Sequence, residues 1–195
     1  MANLTSLAQR PRPYHKESVA YLPVLPRITL LIVGGGHVGL AVAKLAAEVD
    51  FDIWILDDRE TYTSAERFPM ASRRLRGDIG QTLKQLGPQL KPAIYALIVT
   101  RGHGHDEEAL FHLATTACGY VGLIGSKRKI KMIYDDLLAK NISPEALRKV
   151  YAPLGFDIGS QTVPEIAVSI VAELIAVRNL GQTIVAARTT IPIPN

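Results

Sequence analysis

Three stretches of this chain run apolar without alternation and then break at glycine. They are ITLLIVGGGHVG over residues 28–39, IYALIVTRGHGHD over 94–106 and GYVGLIGSKRK over 119–129. Short continuous apolar runs rich in β-branched side chains mark strands covered on both faces, as in a parallel sheet. The pattern predicts strands at 27–33, 51–56, 93–99 and 120–124, with a shorter one at 73–76. Between them the apolar period lengthens to that of a helix. Val38, Val42, Leu45, Ala46 and Val49 share one face of a helix over 37–49. A helix over 79–87 is stopped by Gly87–Pro88. Asp106 reads as the N-cap of a helix over 106–117. Residues 126–140 form a helix with Ile130, Ile133, Leu137 and Leu138 inward, broken by Asn141 and Ser143–Pro144. Thr162 and Glu165 make a capping box that opens a helix to about residue 178, with Pro164 in its first turn.

Strands alternating with helices define an α/β protein, with a Rossmann-like, doubly wound, mostly parallel sheet and helices on both faces. We expect the domain over 27–180, an extended proline-bearing arm over 1–26 and a tail over 181–195. Residues 59–69 read as a short helix and loop, and 152–162 as a polar loop. The arm's SVAYLPVL, residues 18–25, is apolar enough to pack on a neighbour, which predicts a homodimer burying Tyr21, Leu22 and Leu25.

Composition narrows the picture only slightly. At 195 residues there is chain enough for one well-filled core. No apolar run approaches the roughly 20 residues of a membrane span, and the N-terminal stretch lacks the apolar centre of a secretory signal. A single cysteine, Cys118, excludes an internal disulfide. A cytoplasmic protein without membrane contact is expected. The net charge of +4 is mildly basic and concentrates in Arg73, Arg74 and Arg76, and in Lys127, Arg128, Lys129 and Lys131. The second group follows a glycine turn, where it suits a phosphorylated ligand better than nucleic acid, whose footprint is a broader stripe.

The candidate chemistry lies at the strand ends. Gly34, Gly36 and Gly39 satisfy G-x-G-x-x-G, and the helix beginning at His37 and Val38 aims free N–H groups at a phosphate. Asp57 follows the second strand 18 residues after Gly39, where a carboxylate binds ribose hydroxyls and disfavours a 2′-phosphate. Arg59 stands beside it. The second turn contributes Thr100, Arg101, Gly102 and His103, and the third Gly125, Ser126, Lys127, Arg128 and Lys129. His103, His105 and Asp106 are the candidate catalytic groups. They are also metal-ligand types, but alternate residues of a tight loop need not converge on one ion, so no metal site is expected. Cys118 reads as a buried small residue.

Taken together, GGGHVG, DDRE with ERFP, TRGHGHD, GYVGLIGSKRK and APLGFDIGSQTVPEIAVSIVAELIAVR resemble the C-terminal Rossmann domain of the XdhC/CoxF family, over residues 27 to about 178. The resemblance implies an accessory factor for xanthine dehydrogenase and related molybdenum hydroxylases. Such a factor binds the molybdenum cofactor (molybdopterin or its dinucleotide) and helps insert it into the apo-enzyme, its partner. Family members usually carry a further N-terminal domain with a cysteine-containing motif. Here an arm takes its place, so either a separate chain supplies that domain or this short form does less. Two alternatives stand beside this reading. One is an NAD(P)-dependent oxidoreductase, which needs a substrate-enclosing layer that the pattern does not provide, so no stand-alone dehydrogenase activity is expected. The other is a nucleotide-sensing regulatory domain.

Overall fold

The computed structural model describes residues 14–21 and 27–181. Its centre is a five-stranded parallel sheet of β3 (Thr29–Val33), β4 (Asp52–Asp57), β5 (Ala71–Arg76), β6 (Ile94–Ile98) and β7 (Tyr120–Leu123). The order across the sheet is β5-β4-β3-β6-β7. The chain winds outward from β3 in one direction, returns, and winds outward in the other. The reversal falls between β3 and β6, where an open α/β sheet forms its ligand crevice. Val33 pairs with Leu56 on one side and Ile98 on the other, so three strands end at one level.

Helices cover both faces. On one face α1 (His37–Glu48) packs against α6 (Val163–Leu180). Beneath them lie Leu30, Ile32, Ile53, Ile55 and Leu97. On the other face α2 (Ile79–Leu86), α3 (His103–Leu113) and α4 (Lys127–Ala139) sit over Leu31, Val33, Leu56, Ala96 and Ile98. The sheet has two cores, which is why its central strands carry no polar alternation. Among the described residues no helix is long and apolar enough to cross a membrane.

Four sequence-based expectations are corrected. First, α3 begins at His103 rather than 106, with Gly102 as its N-cap. Asp106 is therefore no cap but a buried residue of the first turn. Second, β5 extends back to Ala71. Its inward and outward positions alternate because it is the sheet edge. Third, a short helix α5 (Pro144–Arg148), capped by the Ser143 hydroxyl, follows the break after α4. Fourth, part of the arm is not extended. Residues 14–21 fold into a hairpin of β1 (Tyr14–Lys16) and β2 (Val19–Tyr21), in which Tyr14 stacks on Tyr21. Tyr21 is exposed. Leu22 and Leu25, like the tail beyond Gly181, lie outside the described residues. The Thr162–Glu165 capping box forms as expected.

Candidate functional site

The turn after β3 explains its own sequence. Gly34 has φ +115°, and a Cβ there would overlap the backbone of Val99 and Thr100. A Cβ on Gly39 would strike the Gly34 carbonyl, so this glycine lets α1 lie close against the turn. Gly36 differs. A Cβ there meets nothing within 4 Å, and the space before it is open. As the N-cap of α1 it brings no side chain to the helix's first N–H groups, those of His37 and Val38 included. Those groups and the helix dipole are left to face an anion.

Asp57 organises the turn. It is 2% exposed. Its Oδ2 accepts the Gly35 N–H at 2.8 Å and Arg59 Nη2 at 3.0 Å, while its Oδ1 accepts Arg59 Nε at 2.8 Å and the Arg59 N–H at 3.0 Å. Burial pushes this carboxyl up, but the Arg59 guanidinium and the two N–H groups outweigh it and hold it below the ordinary range. Arg59 in turn lies 3.4 Å above the Tyr62 ring. A Cβ on Gly35 would overlap the Tyr62 carbonyl, and Arg67 Nε donates to the Gly35 carbonyl at 3.0 Å. The neighbouring Asp58 is the more exposed carboxylate, and it pairs with Arg101 Nη2 at 2.9 Å. Sequence reasoning passed over Asp58 because Asp57 occupies the strand's last position.

The second and third turns meet. Asp106 is fully buried, and its Oδ1 accepts the Thr100 N–H at 3.2 Å and the Thr100 hydroxyl. Lys129 Nζ closes onto its Oδ2. Burial raises the Asp106 carboxyl above its ordinary range, and Lys129 and Thr100 offset this only in part. Ser126 caps α4 through its hydroxyl, which accepts the Lys129 N–H at 3.3 Å. Gly125, with φ +156°, precedes it. Lys127 and Arg128 are exposed at the start of α4.

The histidines separate. His103 Nε2 lies 3.2 Å from Asp136 and 3.7 Å from Glu107. His105 and Asp106 take no part in that group. The ligand atoms of His103, Glu107 and Asp136 lie within 4.8 Å of one another, a spacing a divalent cation could bridge. Lys140 Nζ, 2.6 Å from Glu107, already supplies a positive charge there. An open cleft of about 540 Å³ lies to one side, between α1 and residues 60–67. It is lined by Leu40, Lys44, Glu60, Thr61, Ser64, Glu66 and Arg67, of which Arg67 joins it to the first glycine turn through the Gly35 carbonyl.

The donor set suits phosphate and ribose: open helix N–H groups, exposed basic side chains and a solvent-facing carboxylate. It offers no thiolate. Cys118 lies just before β7, at the amino end of the sheet and away from the crevice, and burial pushes its thiol up.

The fold, with its crevice at the strand ends, is that of a Rossmann-type domain. The family model of the XdhC Rossmann domain matches residues 30–174, and the chain belongs to that family. The chain is 33% identical over 154 residues to YqeB of Escherichia coli K12, covering 78% of this chain and 28% of that protein. It is 31% identical over 153 residues to a Bacillus subtilis strain 168 protein named as a probable xanthine dehydrogenase subunit, covering 78% and 44%. A crystal structure described as a xanthine dehydrogenase from Bacillus halodurans superposes with a TM-score of 0.66 at 28% identity, covering 77% and 44%. The chain thus spans less than half the length of these relatives.

Proposed function

We propose that this chain is an accessory factor for a molybdenum hydroxylase and that its crevice holds the phosphate-bearing part of the molybdenum cofactor. The observation that carries this is the open space before Gly36, backed by uncapped N–H groups of α1; exposed Arg101, Lys127 and Arg128 follow the ends of β6 and β7 at the same edge of the sheet. Family membership, and a relative named for xanthine dehydrogenase, support the choice of client. Molybdopterin, alone or as a dinucleotide, presents a phosphate that this arrangement would bind. Cys118 does not reach the crevice, so this domain brings no thiolate to sulfur chemistry at the metal. Deleting the gene and measuring the client's molybdenum and sulfido content tests the proposal. The expected result is a hydroxylase that accumulates without active cofactor. A fully loaded hydroxylase would refute it.

A second reading is an NAD(P)-linked redox role, favoured by one observation. Lys129, partly exposed and paired with the buried Asp106, sits at the strand ends, where a proton donor for hydride chemistry would be needed.

A further inference from the structure

Asp58 and Arg101 join the two strands that flank β3. Asp58 follows the last residue of β4, and Arg101 stands three residues beyond β6. Adjacent strands are about 4.8 Å apart, so the ends of β4 and β6 are separated by about 10 Å. Their side chains close that gap at 2.9 Å, across the carboxyl end of β3 and its glycine turn.

We propose that this ion pair is a latch that a nucleotide opens, with Arg101 passing to a phosphate and Asp58 to the ribose 2′-hydroxyl. The inference rests on the crevice reading given above. Three observations support it. Asp57 cannot serve the ribose without surrendering Gly35 and Arg59, to which both its oxygens are committed. Arg59 and Lys129 are likewise held by buried carboxylates. Asp58 and Arg101, by contrast, are 31% and 56% exposed and hold each other. Arg59 Nε also lies near the pair, 3.6 Å from Asp58 Oδ1. An ion pair this exposed is weak, so exchanging it for ligand contacts costs little. A guanidinium suits a phosphate, and a carboxylate accepts a hydroxyl.

The ligand class that follows is a nucleotide with a free 2′-hydroxyl. Calorimetric titration of ADP, dADP, CDP and dCDP into the wild-type chain, Asp58→Asn and Arg101→Gln tests this, with melting curves to verify folding. The wild type should prefer at least one ribonucleotide over its deoxy form by about tenfold or more. Asp58→Asn should lose that preference. Arg101→Gln should weaken both forms about tenfold and keep the ratio. An unchanged preference in Asp58→Asn, or unchanged affinity in Arg101→Gln, would overturn the latch while leaving the crevice reading intact. A wild type that binds none of the four would overturn the latch, and retention or loss of molybdopterin dinucleotide in equilibrium dialysis then decides whether the crevice reading stands.

Discussion

The Asp57 carboxylate ties Gly35 to Arg59: one oxygen takes the glycine N–H at 2.8 Å while both grip the guanidinium. A residue whose position suggests ligand recognition is thereby committed to shaping the turn. Asp57→Asn should destabilise the fold by about 2 kcal/mol, since hydrogen bonds to charged groups are lost in a buried setting. The pH dependence follows from the lowered carboxyl. Its stabilisation is present above the unfolded-state value of about 3.9 and is lost as pH falls through the lower folded value. Urea unfolding at pH 7 and pH 3 should show the difference between wild type and variant shrinking at the acid end.

The glycines of the turn should respond oppositely to a methyl group. Gly39→Ala drives a Cβ into the Gly34 carbonyl and should cost about 3 kcal/mol or prevent folding. Gly36→Ala meets open space, and Gly36 has an ordinary φ of −65°. Its melting temperature should stay within a few degrees of wild type. Equal losses in the two variants would show that the turn's packing has been misassigned.

Lys129 neutralises a carboxylate that has no contact with water. Lys129→Met should leave Asp106 charged, buried and supported by Thr100 alone, at a cost of about 3 kcal/mol at pH 7. In the variant the Asp106 carboxyl rises further, so the folded state binds the proton more tightly than the unfolded one. Stability relative to wild type should therefore recover as pH falls. A deficit independent of pH between 7 and 4 would mean that Asp106 is not the group left unpaired.

The sheet was legible because its strands are apolar on both faces, α1 because of its apolar period, and α4 and α6 because their caps and breaks are local signals. What escaped has physical reasons. Asp106 has the chemistry of an N-cap, and only the preceding Gly102 hints that the helix starts earlier. The Ser143–Pro144–Glu145 sequence is a helix start that could have been read, but α5 is a mere five residues. The choice between Asp57 and Asp58 turns on which side chain points inward at a strand end, which spacing does not reveal. The partners that define the site are distant in sequence: Lys129 with Asp106, and Arg101 with Asp58. The strand order brings them together. The three glycine turns were expected at one edge of one sheet, and the structure joins them there through Gly34 against Val99 and through Lys129 on Asp106.

Cofactor binding in the crevice is tested most directly by equilibrium dialysis of the protein against isolated molybdopterin cytosine dinucleotide. Bound molybdenum is counted per chain, for the wild type and for Gly36→Val. Close to one molybdenum per wild-type chain is expected. None is expected for the variant, with its circular dichroism and melting curve unchanged, because the valine fills the space before the helix N–H groups. A wild type that retains no molybdenum, or a folded Gly36→Val protein that retains as much as wild type, would contradict the crevice reading.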